Sequence, residues 1–198
     1  MEYVVSLHIN LCYMCKPLDE YRLYLENLVE NKSSETFSNG GKDYASILMS
    51  ILLNHTKQSV CMFCEGFKPD LIEEHDYWES LERYLDDQNK KLHVIVNTNN
   101  YVNQRPLRRL FEAQKKRNND GSIMVYLIND EGREIIKQQF NGALNNFAVF
   151  DDDMYRLEYL PSEYKAFGSF NNTDYTKLLR NLFDRVLEKS QLINDANA

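Results

Sequence analysis

The chain has 198 residues, of which 43% are hydrophobic, 12% aromatic and 27% charged, with only 7 glycines and 4 prolines. That length buries one sizeable core, and the composition excludes collagen-like, linker-like and largely disordered classes. A net charge of −7 opposes any whole-surface affinity for nucleic acid or anionic lipid, so such binding needs a local basic patch.

The first residues, MEYVVSLHINLCYMCK, lack a basic leader, and Ser6, His8 and Asn10 interrupt their apolar positions, so they do not read as a secretory signal. The longest apolar stretch, Tyr44 to Leu53, is far shorter than the ~20 residues that cross a bilayer. A soluble, cytoplasmic protein with reduced cysteines is the expectation. Val5, Leu7, Ile9 and Leu11 alternate as in a half-buried strand, and after Pro17 the residues Leu18, Tyr21, Leu25, Leu28 and Val29 recur at three and four, as in a helix. Lys32 to Lys42 reads as a loop.

A helical stripe follows at Tyr44, Ile47, Leu48, Ile51 and Leu52, then an uninterrupted run, Ser59 to Phe63, that suits a strand covered on both faces. Pro69 and Asp70 open a helix carrying Leu71, Trp78, Leu81 and Leu85. Strand Leu92 to Val96, a helix from Pro106, strand Ile123 to Leu127 and a short helix over Glu131 to Phe140 complete this part. Phe147 to Phe150, Met154 to Leu160 and Tyr164 to Phe170 read as an antiparallel meander, and Asn172 or Thr173 caps a final helix. The pattern predicts an α/β fold: a mixed, mainly parallel sheet flanked by helices, with a C-terminal meander. Residues 1–40 form an N-terminal strand-helix extension, 41–190 the domain and 191–198 a frayed tail.

Gly168-Ser169-Phe170-Asn171 is a GSxN tetrapeptide at the end of the meander, and a long amphipathic helix follows it. With the preceding β-α-β-α-β run and the strand NFAVFDDD, this arrangement resembles the phospholipase D superfamily over roughly Gly41 to Ser190. The resemblance implies an HxKxxxxD motif ahead of GSxN, its His attacking a phosphodiester, its Lys binding phosphate and its Asp supporting the site. With Asp151 as the Asp, the His and Lys positions fall on Leu144 and Asn146; with Asp152, on Asn145 and Phe147. His8, His55, His75 and His93 lie far away in sequence, and neither Leu nor Asn replaces an imidazole nucleophile. Asp152, Gly168, Ser169 and Asn171 are therefore read as the remnant of a motif without catalytic residues. The alternative for GSFN is a strand end, where Gly permits close approach and Ser and Asn satisfy backbone groups.

Other constellations carry weaker signals. Cys12/Cys15 and Cys61/Cys64 form two CxxC pairs, the outline of a four-thiolate zinc site. In a strand, however, residues three apart point to opposite faces, which favours buried thiols over a metal or cofactor. Arg105, Arg108, Arg109, Lys115, Lys116 and Arg117 face one Glu in the run Arg105 to Arg117, enough to pair with phosphates beside Tyr101, or simply a solvated helix face. Asp151 to Asp153 followed by Glu163 and Lys165 outline a D…ExK nuclease site, or a polar turn before an exposed strand. Glu73, Glu74, Asp76, Glu79, Glu82, Asp86 and Asp87 make an acidic helix, a solvated face or a docking surface.

The resemblance implies a non-catalytic interaction module, a homodimer or a domain docked on a partner, in a prokaryotic nucleic-acid-handling or defence complex. The alternatives are a phosphodiesterase or nuclease with a non-standard site, and a nucleic-acid-binding protein without chemistry.

Overall fold

The computed structural model describes residues 17–66, 68–97, 105–118 and 120–193; the strand expected from Val5 to Leu11 lies outside them, as do His8, Cys12, Cys15 and Tyr101. Helix α1 (Leu18–Glu30) buries Tyr21, Leu25 and Leu28 of the stripe read from the sequence, whereas Leu18 is exposed and Val29 half-buried. Strand β1 (Thr36–Asn39) lies inside the segment expected to be a loop. Helix α2 (Lys42–His55) buries every residue from Ala45 to Leu53, so it runs through the core rather than over a surface. Strand β2 (Ser59–Cys64) is buried on both faces, as its unbroken apolar run requires.

The helix expected from Pro69 is two helices, α3 (Pro69–Ile72) and α4 (His75–Asp86). Glu74 takes extended backbone between them, and Lys42 holds its carboxylate at 2.5 Å. Strand β3 (Lys91–Val96), helix α5 (Arg105–Lys116), strand β4 (Ile123–Ile128) and helix α6 (Asp130–Gln139) follow. The meander is β5 (Asn146–Phe150), β6 (Met154–Leu160), a single 3-10 turn (Pro161–Glu163) and β7 (Lys165–Ser169). Asn172 accepts the N–H of Tyr175 and caps α7 (Thr173–Leu187), as its residue type predicts. Strand β8 (Ser190–Ile193) then pairs with β4, so this part of the expected tail is sheet.

All eight strands share one sheet in the order β1-β7-β6-β5-β2-β3-β4-β8. Only β2, β3 and β4 run parallel to their neighbours; every other pairing is antiparallel. The expectation of a mainly parallel sheet thus holds for its centre alone. Helical crossovers enforce parallel pairing there, whereas the hairpins of the meander and the two short edge strands do not. One face carries Val60, Met62, Val94 and Phe150 against α1, α2, α4 and α5. The other carries Cys61, Phe63, Ile95 and Val149 against α6 and α7. No helix among the described residues is long and apolar enough to cross a membrane.

Candidate functional site

The turn between β5 and β6 meets the start of α7 at one end of the sheet. Asp151 sits there in left-handed backbone, at φ 50°. Its carboxylate accepts the N–H groups of Lys57, Gln58 and Ser59 at 2.6, 2.8 and 2.9 Å, closing the turn that delivers β2. Arg180 on α7 donates to the Asp151 carbonyl at 2.8 Å and contacts the Cys61 sulfur at 2.5 Å. The N–H of Asn172 donates to the carbonyl of Asp153 at 2.8 Å and ties the turn to the helix. A groove of about 400 Å³ opens here, lined by His55, Lys57, Asp152, Asp153, Met154 and Thr173 among others. Burial, reinforced by Asp151, raises the Asp153 carboxyl above its ordinary value.

The tetrapeptide GSFN borders this groove, and the fold uses each of its polar parts. A Cβ on Gly168 would collide with the carbonyl oxygen of Tyr155 and stand 2.7 Å from the Phe37 ring, so only glycine fits. Ser169 is 0% exposed, and its hydroxyl accepts the N–H of Asn171 at 3.3 Å. The Asn171 amide donates to the carbonyl of Lys32 at 2.6 Å, fastening the segment to the end of α1. These contacts match the strand-end reading. The strand paired with β7 on the meander side is β6, not the NFAVF strand, with Tyr155 opposite Ser169 and Arg156 opposite Gly168. Asp152 is exposed at the tip of the turn.

Sequence reasoning set His55 aside as distant in sequence and did not single out Lys57. They stand at the end of α2 and enter the groove because Asp151 captures the following turn across 92 to 94 residues of chain. The one local signal is their spacing, His-Thr-Lys, two apart.

The D…ExK outline does not assemble. Glu163 and Lys165 pair with each other at 2.6 Å beside the β6–β7 turn, whereas Asp152 lies in the β5–β6 turn. Successive turns of a meander fall at opposite ends of the sheet, and the seven residues of β6 separate these two by about 20 Å. Cys61 and Cys64 are buried on opposite faces of β2, one beside Arg180 and one in the other core, so they cannot share one ion. Burial raises their thiols to about 11 and about 12. Among the described residues no group of three or more His, Cys, Asp or Glu is placed to hold a metal ion.

Two residues of the basic run are ion-paired within the fold and a third is buried. Arg109 Nε shares its hydrogen between the two Glu82 oxygens at 2.9 and 2.7 Å, its Nη2 reaches Asp86 at 3.1 Å, and Lys116 lies 3.4 Å from Asp86. Arg117 is buried, donating to the carbonyls of Leu85 and Asp87 at 2.7 Å each, which removes it from any phosphate-binding surface. Arg105 and Arg108 are exposed; Arg105 stacks over Trp78 with its guanidinium carbon 4.2 Å from the ring centroid. Lys115 is exposed as well. The acidic helix is the counterpart of these contacts, since Arg22 pairs with Asp76, Lys42 with Glu74 and Arg83 with Glu79.

No protein-family model matches the chain, and no curated relative does. Solved structures do match. TrmBL2, an archaeal chromatin protein with a novel mode of DNA binding, superposes with a TM-score of 0.55 at 13% identity, covering 88% of this chain and 60% of that one. Nuc from Salmonella typhimurium, a phospholipase D family member, gives 0.53 at 9% identity, covering 81% of this chain and all of that one. NucT from Helicobacter pylori gives 0.51 at 12% identity over 80% of this chain and all of that one. At these identities the likeness is one of fold, and the chain has a phospholipase D-like α/β fold.

Proposed function

We propose that this chain is a phospholipase D-like domain without hydrolytic chemistry, acting by contact as a subunit of a nucleic-acid-handling or defence assembly. The observation that carries this reading is the occupation of the site end. On β6, the neighbour of the GSFN strand, the two-apart positions are Met154 and Arg156 rather than His and Lys. Asp151, Gly168, Ser169 and Asn171 are all engaged in holding the turn and the strand end together. A partner protein or a second copy of the chain is the expected contact, and DNA binding by TrmBL2 makes nucleic acid a natural component of the assembly.

The test is turnover of bis-p-nitrophenyl phosphate and of single- and double-stranded DNA and RNA by chelator-treated protein, with and without Mg²⁺. The expected result is no hydrolysis above buffer, with self-association or partner capture read by sedimentation. Hydrolysis would overturn the reading.

One observation favours a second reading, a phosphodiesterase with a displaced site. His55 and Lys57 line the same groove as Asp152 and Asp153. There an imidazole nitrogen would attack phosphorus as the ester P–O bond breaks, Lys57 would bind the phosphate, and water would then cleave the P–N bond. Under this reading turnover is present and disappears in His55→Ala.

A further inference from the structure

A second cavity lies at the opposite end of the sheet, between β2, β5, β6 and helices α2 to α4. Its inner chamber measures about 60 Å³, with apolar walls from Met49, Met62, Leu71 and Ile72. That is room for water or for a small group of a ligand. Gly66 and Lys68 also line the cavity. Lys68 donates to the carbonyl of Pro161 and lies 4.4 Å from the centroid of the Tyr164 ring, and Tyr164 donates to the carboxylate of Asp70.

The polar floor of the chamber is incompletely satisfied. Arg156 is 7% exposed and Glu158 3%. Arg156 Nη2 donates to Glu158 Oε1 at 3.2 Å, and Nε reaches Asn39 Oδ1 at 3.4 Å. Asn146 Nδ2 donates to Glu158 Oε2 at 2.6 Å and completes that carboxylate. Arg156 Nη1 has no hydrogen-bond partner among the described residues, yet it is absent from the fully occluded orphan atoms, Arg117 Nε and Thr176 Oγ1. The same holds for the hydroxyl of Tyr77, which is 4% exposed and lines the same chamber. Two mostly buried donor side chains with spare hydrogen-bonding capacity therefore line one small, largely apolar space. Neither donor is fully occluded, so each can be engaged by an acceptor that enters the cavity.

We infer that this chamber is a binding site for a ligand presenting a neutral oxygen acceptor, a carboxamide or ketone carbonyl, on a short apolar stem. The oxygen takes the hydrogens of Arg156 Nη1 and Tyr77, and the stem lies against Met49 and Met62. Neutrality follows from Glu158, which already balances Arg156 at 3.2 Å, so an incoming carboxylate adds a second negative charge beside one guanidinium, while Lys68 is engaged by the Pro161 carbonyl. The inference is independent of whether the groove at the other end hydrolyses anything.

The experiment uses the full chain labelled with ¹³C at its methionine methyls and titrated with butyramide, butyrate and butylamine. Met49 and Met62 line the chamber, while Met124 and Met154 lie elsewhere and serve as internal controls. Saturable shifts confined to Met49 and Met62 are expected with butyramide, at least tenfold weaker with butyrate and absent with butylamine. Ala148→Met fills the chamber from its wall and should abolish the shifts while leaving circular dichroism unchanged. The double variant Arg156→Met/Glu158→Met removes the floor without stranding a charge and should abolish them too. Absence of any butyramide shift leaves waters as the only occupants and overturns the inference. So does tighter binding of butyrate, or binding that survives both variants in folded protein.

Discussion

The carboxylate of Asp151 stands 2.9 Å from the backbone nitrogen of Ser59, 92 residues earlier in the chain. Together with the N–H groups of Lys57 and Gln58, this contact makes one side chain the closure of the α2–β2 turn. It also decides what the groove contains, because it draws His55 and Lys57 to the edge of the meander.

Asp151→Asn keeps a residue tolerant of left-handed backbone but removes the charge that three N–H donors share. A loss of about 2 kcal/mol is expected, and about 3 kcal/mol for Asp151→Ala, which also pays for its φ of 50°. Urea midpoints at constant slope measure both. A midpoint for Asp151→Ala within error of the parent would show that the three bonds are not a structural closure.

Gly168→Ala tests whether GSFN is held by packing. The added methyl must displace the Tyr155 carbonyl or the Phe37 ring, and neither is the free end of a flexible chain. A destabilisation of about 3 kcal/mol or more, or failure to accumulate as soluble protein, is expected. Gly168→Ala/Phe37→Leu separates the two obstacles: partial recovery assigns the strain to the ring, and none assigns it to the carbonyl. Near-parent stability in Gly168→Ala itself would return this glycine to the list of residues without a structural role.

The regular alternation of strand and helix over Tyr44 to Phe140 was legible because each element there carries its own period, and the core of α2 and both faces of β2 follow from it. Strand β1 was not legible. Thr36 and Phe37 favour strands, but Ser38, Asn39 and the two glycines after them favour turns, and pairing with β7 decides between the two. Strand β8 escaped for the same reason, since its partner β4 lies some 65 residues away in sequence, a separation no local pattern reports. At the site, sequence spacing put Asp152 near Glu163 when the meander places them a strand length apart, and kept His55 far from a turn it borders. The GSFN strand and its place at the end of the meander, beside Met154 to Leu160, were legible because short polar breaks separate three strand-like runs.

Arg117 and Arg108 sit nine residues apart in one basic run and have different work. Arg117→Ala strands the carbonyls of Leu85 and Asp87 and loses the bond to Ser122 Oγ at 3.0 Å, for an expected cost of about 3 kcal/mol in urea unfolding. Arg105→Glu/Arg108→Glu alters exposed side chains and should change stability by less than about 0.5 kcal/mol. If the assembly contains nucleic acid, that double variant also lowers affinity and flattens its salt dependence, whereas Lys116→Glu, already beside Asp86, has the smaller effect. Equal losses from all three substitutions would mean that the basic run acts as one surface.

The two buried thiols make alkaline stability a test of the core. Burial raises Cys64 to about 12 and Cys61 to about 11, from an ordinary value near 9.0. Both states keep the thiols protonated below pH 9, so no pH dependence arises there from this source. Above pH 9 the unfolded chain releases protons that the folded chain retains, and stability falls as pH rises. At pH 10 the loss is about 1.4 kcal/mol per thiol, and it continues until the folded values are reached. Raised tyrosines such as Tyr21 and Tyr77 begin to add to the decline as pH approaches 10, and comparison with a variant lacking both buried cysteines removes their share. Urea unfolding of the parent and of Cys61→Ala/Cys64→Ala from about pH 8.5 to 10 should therefore diverge, the parent losing more stability by about 2–3 kcal/mol at pH 10. Parallel curves would mean that the thiols ionise as readily in the folded protein as in the unfolded one, and that the strand carrying them is open to solvent.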